Sequence, residues 1–452
     1  MLAHAGLSIS LTSIHSVIKS LSREAAKKVK ESVRTLKTAL AYDNFDISFQ
    51  VAQPTIENRN TFVSMTSATA IPLFDIVNSS PLRCSAEMWN KDPRNPLLVN
   101  IPSKYDANDL LEFHIQSTAS TRSPGKRLSR FLENYAWHVR DILIQNVASF
   151  KHFSKENGQP ETINQIPVHQ TRQIPFRAMN IKESTTDGNI DVVESLLRQG
   201  GIGEPADEEF DSTKDVDISE HVILFHGDLL TKERLDSVRD SRRIEATPKN
   251  RFQYVVFIPG LFHFKMACAD ALWRTWIQPT DGRKDPNSLF QHTGILRPDE
   301  TGKIVSKPGF RRMHDLLYHD LCASMLDCWR IESQCSTSLE DFAQLNLSWD
   351  QIVRMSEDIV LKYVASTANL TGERQKPAAE CDQVFENQKL RNRDELLYAE
   401  VSHAMNAGDI GRVEETFIHW IYIFRATGKH KYASHMLQFM IDLRKFYSPE
   451  LV

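Results

Sequence analysis

The sequence predicts an α/β protein, a mixed β-sheet interrupted by a helical insertion and followed by a largely helical second half. Three observations carry this reading. Runs rich in Val, Ile, Thr and Phe, bounded by turn residues, fall at 39–73 and 172–258. Between and after them, apolar residues recur at three- and four-residue spacing over segments too long for strands. Stretches bearing Pro, Gly, Asn and Asp at 74–104, 279–308 and 370–390 then break the chain into blocks.

Residues 13–38 have helical spacing. Ile14, Val17, Ile18, Leu21, Ala25, Val29, Val33 and Leu36 form a stripe, with Lys19, Lys27, Lys28, Lys30, Arg34 and Lys37 over much of the remainder. A basic face of this kind can touch phosphates, but it serves more simply as the solvated side of a helix packed by its stripe. Two β-like stretches follow, 39–51 and 61–73, joined by the polar turn Glu57, Asn58, Arg59, Asn60, and they read as a hairpin or meander. Residues 106–155 read as helices, above all 128–153, and 156–168 as loop. A further strand is expected at 172–182, then a polar turn at 183–189 and a helix over 190–198. The acidic, Gly-bearing text at 200–217 suits a mobile surface loop.

A strand running to Asp228 comes next, then a charged helix with Thr231 as its cap, and a buried strand over 252–258 closed by Pro259 and Gly260. Helices are expected at 261–276, 309–333, 339–365, 391–406, 410–426 and 432–447. The resulting division is an N-terminal helix to 38, a first part of the core over 39–105, a helical insertion over 106–170, a second part of the core over 171–278, and a helical region over 279–452. No internal repeat is visible.

Composition narrows the function. A chain of 452 residues, 41% hydrophobic and 25% charged, buries an ordinary core. Its 54 basic and 58 acidic side chains give a net charge of -4, without the electrostatic footprint of a dedicated duplex binder, so any contact with DNA must be a local patch. The six cysteines, at 84, 268, 322, 328, 335 and 381, contain no CxxC pair and suit reduced thiols in an intracellular protein of the nucleus or cytoplasm. No apolar run is long enough to span a membrane, and the first residues lack the pattern of a signal peptide. Neither a GxxxxGK[ST] loop, nor GxGxxG after a strand, nor GxSxG is present, which leaves nucleotide hydrolysis, dinucleotide redox and serine-hydrolase chemistry without support.

The chemistry-bearing feature is a pair of apolar strands that each run into an aspartate, Asp43 in LAYDNFD and Asp228 in HVILFHGD. A strand fixes its carboxylate in position, and a hard cation selects oxygen ligands. Asp46 stands three residues beyond Asp43, so a continuous strand points it to the opposite face. Arg239, Arg242, Arg243, Lys249 and Arg251 form the best local candidate for gripping a phosphate backbone, with a charged helix face as the plainer account. His263 with Cys268 fits a satisfied histidine at a helix start and a packed apolar thiol better than a zinc site, and His314, His319 and Cys322, at i, i+5 and i+8, do not share one helical face well enough to hold zinc. Trp273, Trp276, Trp329, Trp349 and Trp420 sit in helical text, where aromatics are more often core than base-stacking platforms.

The strings YDNFD, RAMNIKESTTDGNIDVV, FHGDLLTKERLDSVR, FQYVVFIPGLFHFKMACADALW and GDIGRVEETFIHWIYIFRATGKHKYASHML resemble, in that order, a fungal family filed as domain of unknown function 6589, over nearly all of residues 35–452. The resemblance implies descent from a transposon and a ribonuclease-H-like transposase core. It makes Asp43 the first-strand and Asp228 the fourth-strand carboxylate, jointly ligating Mg²⁺ or Mn²⁺ for DNA strand transfer or nuclease activity. The third acid has several candidates: Asp270, Glu332, Glu340, Glu395, Glu400, Glu414 and Glu415. Where relatives carry a Glu soon after Tyr-Ala, this chain has Ser434 and His435. The alternative implied is a catalytically inactive module of the same ancestry that binds nucleic acid or protein.

Overall fold

The computed structural model describes residues 10–53, 55, 59–98, 108, 112, 125–334 and 338–452. The chain forms two compact units, one drawn from 1–105, 169–263 and 438–452, the other from 106–168 and 264–437.

The first unit is built on a five-stranded sheet. Helix α1 (Leu11–Val33) starts at Ser10, whose side chain accepts from the Ser13 amide. Strands β1 (Thr38–Phe49) and β2 (Thr61–Pro72) follow as an antiparallel ribbon in register from Thr38 opposite Pro72 to Phe49 opposite Thr61. Helix α2 (Ser85–Lys91) precedes β3 (Ile174–Pro175), which lies antiparallel to β2. After α3 (Thr186–Gly200), the two-residue strands β4 (Ile202–Gly203) and β5 (Val216–Asp217) pair with each other in parallel. Strand β6 (Ile223–Gly227) runs parallel to β1, α4 (Leu229–Ser241) follows, and β7 (Val255–Pro259) runs parallel to β6. The order across the sheet is β3-β2-β1-β6-β7. Helix α5 (Leu261–Trp276) begins in this unit with its first turn.

Alternation along the strands explains how the layers form. Leu40, Tyr42, Ala68, Ala70, Phe225, Val255 and Phe257 pack in one cluster with Val33 of α1, Val192, Val193, Leu196 and Leu197 of α3, and Leu235 and Val238 of α4. On the other side of the sheet Val222 and Val256 pack with Leu82 and Cys84, and Leu224, Ile258, Tyr447 and Leu451 join them. A Cβ at Gly200 would stand 2.5 Å from Val33 Cγ1, so glycine is what lets α1 approach α3.

Departures from the expected elements have local causes. The strand expected over 172–182 shrinks to two residues, and only a bridge between Thr66 and Met179 continues it. Helix α3 begins four residues earlier than its apolar periodicity, because Thr185 caps it by accepting from the Gly188 amide at 3.0 Å. Thr231 is not the cap of α4: Asp228 is, accepting from the Thr231 amide at 2.8 Å, while Thr231 is buried within the first turn. The acidic segment 200–217 is tied down at both ends by the β4–β5 pair. Residues 438–452, expected to end the helical region, return instead to the sheet unit. Most of the helical text expected over 106–124 lies outside the described residues.

The second unit is helical among its described residues. The expected helices at 309–333 and 410–426 are found as Gly309–Glu332 and Ile410–Ala426. The one expected over 339–365 is cut in two, Leu339–Ala343 and Trp349–Tyr363, because Ser348 and Gln351 form a reciprocal capping box. Segment 279–308, expected as a break, holds the short helices Leu289–Leu296 and Thr301–Ser306. Helix Gln383–Ala407 ends at Gly408 in the left-handed region, φ 69°, and Asp409 caps the next helix through the Arg412 amide. At its centre Glu400 accepts from Arg412 Nε and Nη2 (2.9 and 2.7 Å) and from Asn134 Nδ2 (2.9 Å), and meets His138 Nε2 at 2.8 Å. Trp329 and Trp420 are fully buried here, and Trp329 donates to the Val139 carbonyl.

Candidate functional site

The site lies where the parallel pairing of β1 and β6 ends. Leu40 is paired with Phe225 and Ala41 with His226, and continuing that register two residues further brings Asp43 level with Asp228. Two stretches 185 positions apart thus deliver their carboxylates to the same end of one sheet. Strand β6 stops at Gly227, where Asp228 turns to cap α4, whereas β1 continues past Asp43 as a two-stranded ribbon with β2. Asp46, three residues on, falls on the opposite face from Asp43.

Asp43, Ser67, Thr69, His226, Gly227, Asp228, Gly260 and His263 are among the residues lining a shallow cleft of about 250 Å³. Its floor is tight. A Cβ at Gly260 would stand 3.0 Å from the Gly227 carbonyl oxygen, and one at Gly227 would stand 2.9 Å from Thr231 Cγ2. The second approach holds the Asp228 cap close against the strand.

Sequence reasoning missed a third carboxylate, Glu183. Past β3 the chain stays against β2: the Thr66 amide donates to the Met179 carbonyl and Thr66 Oγ1 to that of Ile181, at 2.9 and 2.8 Å. Glu183 then reaches the middle of β1, just past the end of its pairing with β6, where its Oε1 accepts from the Asn44 amide at 3.1 Å. Asn189, fully buried at the start of α3, ties the turn: its Nδ2 donates to the carbonyls of Glu183 and Thr185, and its Oδ1 accepts from Tyr42 Oη at 2.9 Å. Gly188 is required by the same turn, since a Cβ there would stand 2.0 Å from the Lys182 carbonyl oxygen. Glu183 is 5% exposed, and its Oε2 is buried without a hydrogen-bond partner. The string ESTTDGN carried the signal, a helix cap and a glycine immediately after an acid that the apolar pattern placed in a featureless turn.

Electrostatics tie the three acids together. Burial, then the negative charge of Asp43 and, more weakly, of Asp228, raise the Glu183 carboxyl to about 7, against the opposing pull of the Asn44 amide. The Asp43 carboxyl is raised too, by partial desolvation and by Asp228, while His263 acts the other way. Burial lowers the pKa of His226. Among the described residues, no group of three or more His, Cys, Asp or Glu side chains is drawn together closely enough to hold a metal ion unaided.

The sequence-derived acids and bases have other surroundings. Asp270, Glu332, Glu340, Glu395, Glu400, Glu414 and Glu415 all belong to the second unit. There Asp270 pairs with Arg274 and Lys429, Glu332 with Lys362, and Glu415 with Arg130. In the basic cluster, Arg239 pairs with Asp92 at 2.6 Å and Lys249 with Asp207 at 2.7 Å. Arg242 lies over the Phe252 ring, Arg243 donates to the Asp240 carbonyl, and Arg251 donates to the carbonyls of Glu245 and Ala246. The cluster is separated from Asp228 by most of α4. It begins with Arg239 in the last turn of α4, 11 residues from the Asp228 cap and so roughly 16 Å along the axis from it.

No curated protein and no solved structure matches the chain. Residues 113–452 match a family model described as a family of unknown function, DUF6589, a span that includes Glu183, Asp228 and β6 to β7 but leaves β1 and Asp43 outside. With three quarters of its length matched, the chain belongs to the DUF6589 family.

Proposed function

We propose that the sheet unit is a ribonuclease-H-like core, of transposase type, in which Asp43, Asp228 and Glu183 hold Mg²⁺ or Mn²⁺ and act on phosphodiester bonds of DNA. The observation that carries this is the sheet itself. Three antiparallel strands followed by two parallel ones, in the order β3-β2-β1-β6-β7, bring Asp43 level with Asp228 at the mouth of one cleft. The donor set fits a hard cation: it is all carboxylate, and the unpartnered Oε2 of Glu183 is a buried acceptor in need of a positive partner. A divalent cation in such a site lowers the pKa of an attacking water or hydroxyl and offsets charge on the leaving oxygen. The protein's part is to hold Asp43 on a strand, Asp228 on a helix cap and Glu183 on a buried turn, the residues that would ligate the cation. With its carboxyl raised to about 7, Glu183 is poised near neutrality between acid and carboxylate, and a bound cation would favour the carboxylate.

The test is nicking of supercoiled DNA by the full chain with Mn²⁺. Activity should be lost in Asp43→Ala and Asp228→Ala and fall at least tenfold in Glu183→Gln. Cleavage that survives both aspartate substitutions excludes this site. A second reading, a module that binds nucleic acid or protein without cutting, is favoured by the lack, among the described residues, of a converged three-ligand group and by the pairing of Arg239 and Lys249 with Asp92 and Asp207. It predicts Mn²⁺ binding too weak to detect by calorimetry and no nicking.

A further inference from the structure

We infer that α1 is a self-association element, and that two copies of this chain pair through the first half of that helix, antiparallel, about a twofold axis. Its apolar stripe runs the whole length of the helix, yet only the C-terminal part is buried, at Val29 and Val33. Leu11, Ile14, Ile18 and Leu21 on the same stripe are 74%, 40%, 57% and 59% exposed, and the neighbouring Val17 is 54% exposed. Contact of α1 with the body of its unit is made from Ser22 onward, where Arg177 Nε donates to Ser22 Oγ. The preceding half of the helix is uncovered among the described residues.

The spacing identifies the occupant as a second copy. Residues 11, 14, 18 and 21 follow a 3-4-3 pattern, which reads the same in both directions. An antiparallel pair therefore sets Leu11 against Leu21 of the partner subunit and Ile14 against Ile18 of the partner subunit, apolar residue to apolar residue at every level. Charge does not oppose the pairing. Between Leu11 and Ser22 the ionisable side chains are His15 and Lys19, and in this register they face Val17 and Ser13, so no like charges meet. The area suffices as well. Five largely exposed aliphatic side chains offer roughly 100 Å² each. That makes roughly 1,000 Å² over both copies, the lower bound of a specific interface.

Sedimentation equilibrium of the full chain tests this. At tens of micromolar the chain should be a dimer, and Ile14→Lys/Ile18→Lys should weaken association at least a hundredfold while leaving the far-UV circular dichroism and melting temperature unchanged, since both side chains are exposed. A monomeric wild type, or a double variant that still dimerises, overturns the inference. Orientation has its own readout. Chains carrying Leu11→Cys mixed with chains carrying Leu21→Cys should cross-link under mild oxidation, and neither variant alone should do so. Efficient cross-linking within either single variant overturns the antiparallel arrangement.

Discussion

Glu183 holds its proton near neutrality because folding takes its carboxyl out of water and sets it beside Asp43 and Asp228. A carboxyl raised from 4.5 to about 7 on folding lends stability that is full below pH 4.5 and is lost as pH rises through 7. Glu183→Gln should therefore flatten the fall in stability between about pH 5 and 7, by about 1 to 2 kcal/mol after allowance for solvent screening, as read from urea unfolding midpoints. Unchanged pH dependence would show that the proton resides elsewhere. Glu400 behaves in the opposite sense. His138 and Arg412 hold it at about 2, so its contribution is present above pH 4.5 and is lost as pH falls toward 2. Glu400→Ala strands Arg412, 1% exposed, without its counter-charge and should cost about 3 to 5 kcal/mol at neutral pH in the same assay.

At the scale of elements, what was legible in the sequence was what periodicity and punctuation encode. The ends of β1 and β2, the helix Leu261–Trp276 and the helix Ile410–Ala426 fall within two residues of expectation, because each pairs a sustained apolar pattern with a stop signal. Asp43 and Asp228 were legible because apolar strands point to them. Glu183 was not. Its position depends on Asn189 and Gly188, two residues with no apolar signature, and on the Asn44 amide, which local text cannot reveal. The split at Ser348 was hidden for a related reason, since a capping box reads as ordinary polar residues unless the helix is already known to start there. The turn before α3 is open to a direct trial. Gly188→Ala drives a methyl into the Lys182 carbonyl and should lower stability by about 1 to 3 kcal/mol. With the turn displaced, the pH response assigned to Glu183 should vanish as well; if it persists, the turn does not seat the carboxyl.

At the scale of the molecule the described residues form two compact units, one built on the sheet and one of helices. Calorimetry should show a thermal transition whose measured enthalpy exceeds its van't Hoff value, and a strictly two-state profile would mean the units melt as one. No helix among the described residues is long and apolar enough to cross a membrane. The return of 438–452 to the sheet unit bears on the order of assembly. Tyr447 and Leu451 cover the same sheet face as Leu82, Val222 and Val256, so this layer joins residues far apart in the sequence. Because 438–452 follow the helical unit in sequence, that face of the carboxylate-bearing sheet cannot be covered until the chain has passed through the whole of the other unit, which ties closure of one unit to the connectivity of both.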